Sequence, residues 1–241
     1  GLDQYIALFH DRRFLHALGV TGIFVLVGLP ITMVIALAFA VALNKGSKHL
    51  NAFFRAVFYA PVVASVVAVS VVWRYILQKD GLLNSLLAVF GIAGPDWLHD
   101  TRYALPALMV MTIWRNMGTL MIIFLAGLQA IPEELKEAAA IDGASPWRRF
   151  RTIIFPLLSP TSFFLLVVNT IYTLFETFGI VHAVTQGGPS KATETLIYKV
   201  FNDGFIGLDF GGSSAQSVVL MLIVMVLTFL QFRYVERKVT Y

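Results

Sequence analysis

Apolar residues gather along this chain in runs too long for a soluble helix, with most of the polar residues between them. Five runs stand out: about Leu15 to Leu43, Phe53 to Leu77, Tyr103 to Gln129, Thr161 to Thr185 and Ser214 to Phe232. Each is long enough to cross a hydrocarbon layer of ~30 Å as helix, which takes roughly 18 or more residues. No alternating pattern of the barrel type competes with them. The expected class is therefore all-α, a polytopic helical membrane protein with five spans. Pro30, Pro61 and Pro106 lie inside the runs and predict kinks, tolerated where neighbouring helices or a water-filled path take up the freed carbonyls.

The most polar interval separates the third run from the fourth, EAAAIDGASPWRRFRTIIFPLLSP from Glu137 to Pro160. Pro132 followed by EELKEAAAI predicts a helix start with acids in its first turn, where they complement the helix dipole. Gly143 supplies the stop. Ser145 is placed to cap a second helix starting at Pro146, which carries Arg148, Arg149 and Arg151 before Pro156 is expected to break the chain. Ala138, Ala139 and Ala140 form a short face that another backbone can approach closely. The interval reads as a compact, hydrated knob at a membrane face, shaped to meet a soluble partner.

Composition narrows the class further. The 241 residues are 58% hydrophobic and only 13% charged, with a mean hydropathy of +0.77. There is no cysteine, which removes disulfides and thiolate metal sites, and the five histidines (His10, His16, His49, His99, His182) lack ligand spacing, so no metal site is expected. The net charge of +4 sits beside the apolar runs, where cytoplasmic retention explains it better than nucleic acid.

Ten of the eighteen basic residues fall on one side: Lys45, Lys48, Arg55, Lys136, Arg148, Arg149, Arg151, Arg233, Arg237 and Lys238. That side is expected to be cytoplasmic, with the C-terminus inside and the N-terminus outside. An outer start without a signal sequence or initiator methionine leads us to expect an earlier span upstream. On the outer side, residues 78–102 include the short amphipathic GLLNSLLAVFGI, suited to the membrane interface or to ordinary packing. The loop over 186–212, opened by QGGPS and closed by GGSS, is long enough to meet an extracytoplasmic partner.

EAA, then DGA, then Phe150 and Pro156 resemble the EAA motif of the membrane subunits of bacterial ATP-binding-cassette importers. Glu137, Ala138, Ala139, Asp142, Gly143 and Ala144 match that pattern residue by residue, and Phe155 stands where a leucine is usual. The resemblance extends along the whole chain: FLAGLQAIPEEL and TQGGPSKATETLIYKVF look like the carbohydrate-uptake branch, and the C-terminal segment is similar to its glycerol-3-phosphate permeases. It implies the transmembrane domain of a type I importer over residues 1–241, with six spans when complete. It also implies that residues 130–160, Arg148 included, form a cytoplasmic coupling loop for an ATPase, and that residues 186–212 form a periplasmic loop. The implied partners are a second homologous permease in a heterodimer, two ATPase subunits, a periplasmic or lipid-anchored solute-binding protein and membrane lipid. This chain has no GxxxxGK[ST] phosphate loop, so ATP and Mg would be bound by the partner ATPases, the chain itself being non-catalytic and without a cofactor. The implied home is the bacterial inner membrane.

Polar and ionisable groups at mid-membrane are expensive, and those present are candidate pathway groups. Arg115 lies midway along the third run beside Asn116, and Glu176 lies past the middle of the fourth. Thr112, Asn116 and Thr119 share one helical face; Thr170, Thr173, Leu174 and Thr177 share another, near Asn169. Aligned through the WxxxG-like and GGP landmarks, these faces resemble the positions lining the sugar site of maltose-type permeases. Arg115 and Glu176 are open to two roles, an ion pair between helices or contact with solute, and an arginine fork suits a phosphate-bearing solute. The expected activity is import of sn-glycerol-3-phosphate or its diesters by alternating access. A neutral sugar in the same family, and a proton-coupled carrier using Glu176, remain alternatives.

Overall fold

The computed structural model describes residues 3–44 and 48–239, and within them the chain is helical without a strand. Lys45 lies outside the described residues. Helix α1 (Asp3–His10) precedes α2 (Arg12–Asn44), whose start is capped by Asp11 accepting the Arg13 N–H at 2.8 Å. Then come α3 (Lys48–Val63), α4 (Val66–Leu77), α5 (Leu82–Val89), α6 (Ala104–Gln129), α7 (Glu133–Ile141), α8 (Pro146–Arg149), α9 (Ser159–Val184), α10 (Leu196–Phe201) and α11 (Phe210–Leu230).

Among the described residues, four helices are long and apolar enough to cross a membrane: Arg12–Asn44, Ala104–Gln129, Ser159–Val184 and Phe210–Val235. These agree with four of the expected runs. The expected run Phe53 to Leu77 is broken. Helix α3 ends at Val63, and the chain resumes at Val66 bent by 102°. Two features produce the break: Pro61 removes a backbone donor in the last turn of α3, and Ser65 adopts an extended backbone (ψ 133°) before α4 starts.

The other prolines behave differently from expectation. Pro30 and Pro156 each follow a π turn by two residues, Phe24–Gly28 in the first case and Phe150–Ile154 in the second. Leu29 N–H reaches Phe24 O and Phe155 N–H reaches Phe150 O, so the wider turn absorbs the ring and the helix continues. Pro156 therefore does not break the chain; a short turn, Phe155–Leu157, leads directly into α9. Pro106 sits in the first turn of α6, where its missing N–H would have had no helical partner.

Two apolar clusters sit at opposite ends of α6. One joins Val20 and Phe24 of α2, Val69 and Leu77 of α4, Leu108 and Met111 of α6, and Ile180 and Val181 of α9. The other joins Ala36 and Ala40 of α2, Leu120, Met121 and Phe124 of α6, Leu158 just before α9 and Leu165 of α9, and it lies at the knob end. Ala36 and Ala40 are fully buried, and such small residues let α2 lie close against α6. Gly118 does the same for α3: a Cβ there would stand 2.2 Å from Phe58 O, so backbone meets backbone. A third cluster (Phe14, Val25, Leu174, Leu196, Val219, Leu220) seats α11 against α2 and α9.

Helix α5 is tethered by Asn84, whose amide donates to Lys79 O and Pro95 O at 2.9 Å and accepts from Trp97 Nε1 at 2.6 Å. Leu82, Leu86, Val89 and Phe90 remain exposed along one edge, the arrangement of a helix lying at an interface.

Candidate functional site

α3, α6 and α9 line a partly open cavity of ≈ 380 Å³. It is lined on α6 by Arg115, Asn116 and Thr119, and on α9 by Asn169, Tyr172 and Glu176, with Val62, Ile123, Phe164 and Val168 supplying apolar wall. Its volume lies within the roughly 300–1,000 Å³ usual for small-ligand sites, and its few polar groups converge from two helices. Arg115 and Glu176 face each other with Nη1 and Oε2 at 3.7 Å, the arginine side chain 17% exposed and the glutamate 53%. The Nε of Arg115 is buried without a hydrogen-bond partner. Asn169 donates to Leu165 O at 2.9 Å, which leaves its side-chain oxygen free to accept.

Five of the sequence-predicted pathway residues thus meet here: Arg115, Asn116, Thr119, Asn169 and Glu176. The face Thr170, Thr173, Leu174 and Thr177 does not line this cavity. Leu174 is in the third apolar cluster, and Thr170 accepts from Gln231 Nε2 at 2.7 Å while its own hydroxyl donates to Leu166 O. Thr177 is buried with its hydroxyl unpartnered, and Thr173 lines a narrow cleft that also touches Thr112, Asn116 and Asn169. Thr112 donates to Leu108 O at 2.8 Å. The physical reason is that α9 is covered on both sides. Leu174 and the threonines take the packed face, while Asn169, Tyr172 and Glu176 take the open one.

The knob is built much as the sequence suggests. Helix α7 stops at Gly143 (φ +76°), where Gly143 N–H bonds Ala140 O at 3.1 Å and Ala144 N–H bonds Ala139 O at 3.0 Å, closing a Schellman turn. Two residues on, Ser145 Oγ accepts the Arg148 N–H at 3.3 Å and starts α8 with Pro146 in its first turn. Glu137, Ala138 and Asp142 are exposed, Ala139 is buried, and Ala144 is intermediate. Ile141 and Trp147 project at 86% and 69% exposure, apolar surface far beyond what a hydrated turn requires.

One cluster escaped sequence reasoning. Arg13 of α2 clasps Glu194 with two hydrogen bonds, Nε to Oε2 at 2.8 Å and Nη2 to Oε1 at 2.6 Å, and reaches Asp203 at 3.2 Å. Lys199 pairs with Asp203 and with Asp11 at 3.2 Å, and Gln216 donates to Asp203 at 2.8 Å. Glu194 is wholly buried. Burial pushes the Asp11 carboxyl up, but the Arg13 N–H and the Lys199 ammonium outweigh it and hold the group below the usual carboxylate value. The 186–212 segment is therefore folded and anchored, with Thr193, Glu194 and Thr195 sealed from solvent. Only the i, i+4 spacing of Lys199 and Asp203 was visible in the sequence; Arg13 and Glu194 are 181 residues apart.

Residues 5–241 match the family described as binding-protein-dependent transport system inner membrane component. The chain belongs to that family. Among curated members it is 47% identical over 241 residues to the sn-glycerol-3-phosphate transport system permease protein UgpA of Brucella abortus biovar 1 (strain 9-941), covering 100% of this chain and 82% of that protein. The UgpA proteins of Agrobacterium fabrum (strain C58 / ATCC 33970) and Escherichia coli O157:H7 are 46% and 42% identical, each across all of this chain and 82% and 81% of their own. In fold, this inner membrane component is similar to a chain of a bacterial ABC transporter involved in the import of the acidic polysaccharide alginate, with a TM-score of 0.86 at 23% identity over 98% of this chain and 84% of that one. A chain of a bacterial alginate ABC transporter in complex with alginate pentasaccharide-bound periplasmic protein superposes with a TM-score of 0.84 at 23% identity, over 96% and 81%. The all-helical importer-subunit fold and the multi-pass membrane character expected of the sequence both hold.

Proposed function

We propose that this chain is a non-catalytic permease subunit of an ATP-driven importer for sn-glycerol-3-phosphate or its diesters. The carrying observation is identity of 42–47% along the entire chain to permeases named for that solute. An arginine in the cavity adds chemical support, because its planar fork matches phosphate oxygens. In this reading a second homologous permease covers the open side of the cavity and two ATPase subunits bind ATP and Mg. The knob, Glu137 to Arg151, is the ATPase dock, since its exposed Ile141 and Trp147 need a partner surface. The knob face is cytoplasmic and so is the C-terminus; the anchored 186–212 segment lies on the periplasmic side and receives a solute-binding protein.

ATP-driven closure of the ATPases pulls the knob, and the helices respond by opening the cavity to the outside; hydrolysis resets it. The test is ATP hydrolysis by the complete complex in liposomes, with binding protein loaded first with sn-glycerol-3-phosphate and then with maltose. Stimulation by the phosphate ligand alone is expected. Stimulation by maltose alone refutes the solute assignment.

A further inference from the structure

We infer that Glu176 is a stand-in anion: it holds Arg115 in the empty cavity, and the phosphate of the solute displaces it. This rests on the phosphate-ester reading above and specifies how that solute is held and let go. The two arginine–glutamate pairs among the described residues differ in kind. Arg13 and Glu194 are locked by two hydrogen bonds at 2.6 and 2.8 Å around a wholly buried carboxylate. Arg115 and Glu176 approach only to 3.7 Å, beyond hydrogen-bond range, and the carboxylate is half exposed to the cavity. The Arg115 guanidinium makes no hydrogen bond among the described residues, and its Nε is buried and unpartnered. A guanidinium has five N–H donors, so this one is charge-balanced but unsatisfied as a donor.

A phosphate monoester fits that deficit. It brings three oxygens and close to two negative charges where Glu176 offers one charge and no bonded contact. The remaining groups lie inward of the pair. Along α6 the cavity continues from Arg115 past Asn116 and Thr119 to Ile123, and along α9 from Glu176 past Tyr172 and Asn169 to Phe164. Asn116, Thr119 and Tyr172 make no side-chain hydrogen bond among the described residues, so amide and hydroxyl groups are free for a glycerol moiety. The pair thus stands at the end of the cavity nearer the 186–212 segment, where an entering solute meets it first. Once the phosphate has taken Arg115, Glu176 is displaced but still tethered beside it, and its return competes the phosphate off again. Capture and release use one exchange of partners.

The test uses the complete complex in liposomes with sn-glycerol-3-phosphate-loaded binding protein. It measures uptake per ATP hydrolysed and the labelled solute retained by the purified complex. Arg115→Gln should lower uptake per ATP hydrolysed at least about tenfold, the loss of one charge-assisted contact. Glu176→Gln should retain about three- to tenfold more label and turn over more slowly, because the competing anion is gone. Arg115→Gln with Glu176→Gln should neither retain label nor recover uptake. Recovery of uptake in that double variant, or reduced retention by Glu176→Gln, overturns the exchange and leaves a structural ion pair. Should Arg115→Gln not assemble, Arg115→Lys decides: label retention several-fold below wild type supports the fork, and equal retention overturns it. Uptake by wild type with no effect of Arg115→Gln overturns the exchange alone; wild-type complex that takes up no phosphate ester overturns the solute assignment with it.

Discussion

Replacing Gly118 with alanine should destabilise this protein, although alanine is the better helix former. Gly118 lies inside α6, where glycine costs about 1 kcal/mol relative to alanine. A Cβ built there meets Phe58 O at 2.2 Å, Phe58 C at 2.9 Å and Tyr59 Cα at 3.1 Å. All three are backbone atoms, so no rotamer change relieves them, and α3 must retreat by about 1.2 Å to restore an ordinary 3.4 Å contact. A gap of ~1 Å forfeits up to about half of the dispersion attraction across it, and Phe58 belongs to the knob-end apolar cluster. Overpacking of this kind costs about 1–3 kcal/mol, with the retreat of α3 adding to it, so the propensity gain is outweighed by about 2 kcal/mol. For a chain of this length that is an unfolding temperature about 4–8 °C lower, read by tryptophan fluorescence in detergent. Gly22, in α2, is the internal control: a Cβ added there has nothing within 4 Å, and Gly22→Ala should be neutral or stabilising. A Gly118→Ala protein as stable as wild type would refute the close-approach account.

Gly143 tests the knob without steric confusion, since a Cβ there meets open space and only φ +76° opposes it. Binding-protein-stimulated ATP hydrolysis should fall in the order Asn, Ala, Val at this position, against a left-handed penalty of about 1–2 kcal/mol; equal activity of Asn and Val sinks the turn argument. Glu194→Gln leaves Arg13 without its clasp and should cost about 2 kcal/mol, less than for a fully buried pair because Arg13 is 37% exposed; an unchanged unfolding midpoint contradicts the anchoring role. Asp11 titrates below its unfolded value, so its contribution is complete above that value and is lost as pH falls through the folded one. Wild type should therefore exceed Asp11→Asn in stability at pH 7, with the difference vanishing in strong acid; a gap that persists there would refute a charge origin for it.

Much of the architecture was legible because membrane helices advertise themselves by length and apolarity, and the ends of α6 and α9 fall within about two residues of expectation. The Gly143 stop and Ser145 cap were legible for a local reason: each acts within one turn of its own position. Prolines were less so. Pro30 and Pro156 look like breaks in one dimension, yet a π turn upstream of each keeps the helix running, and nothing in the residue types marks that turn. The cavity was half legible. Periodicity grouped Thr170, Thr173, Leu174 and Thr177 correctly on one face, but which face meets neighbours depends on where α2 and α11 lie, and this is long-range information. The Arg13–Glu194 clasp was invisible for the same reason.

The interruption at Ala64–Ser65 has a mechanical meaning. Helix α3 is pinned to α6 at Gly118 within the knob-end cluster, while α4 packs Val66 against Gly179 of α9 and Val69 into the opposite cluster. The length of chain joining these two bodies is not a stiff rod but a right-angled elbow, and Val62 on its near side borders the cavity. The elbow lets α3 and α4 follow different neighbours: a shift of α3 with the knob end need not be carried as a stiff rod to the end where α4 packs on α9.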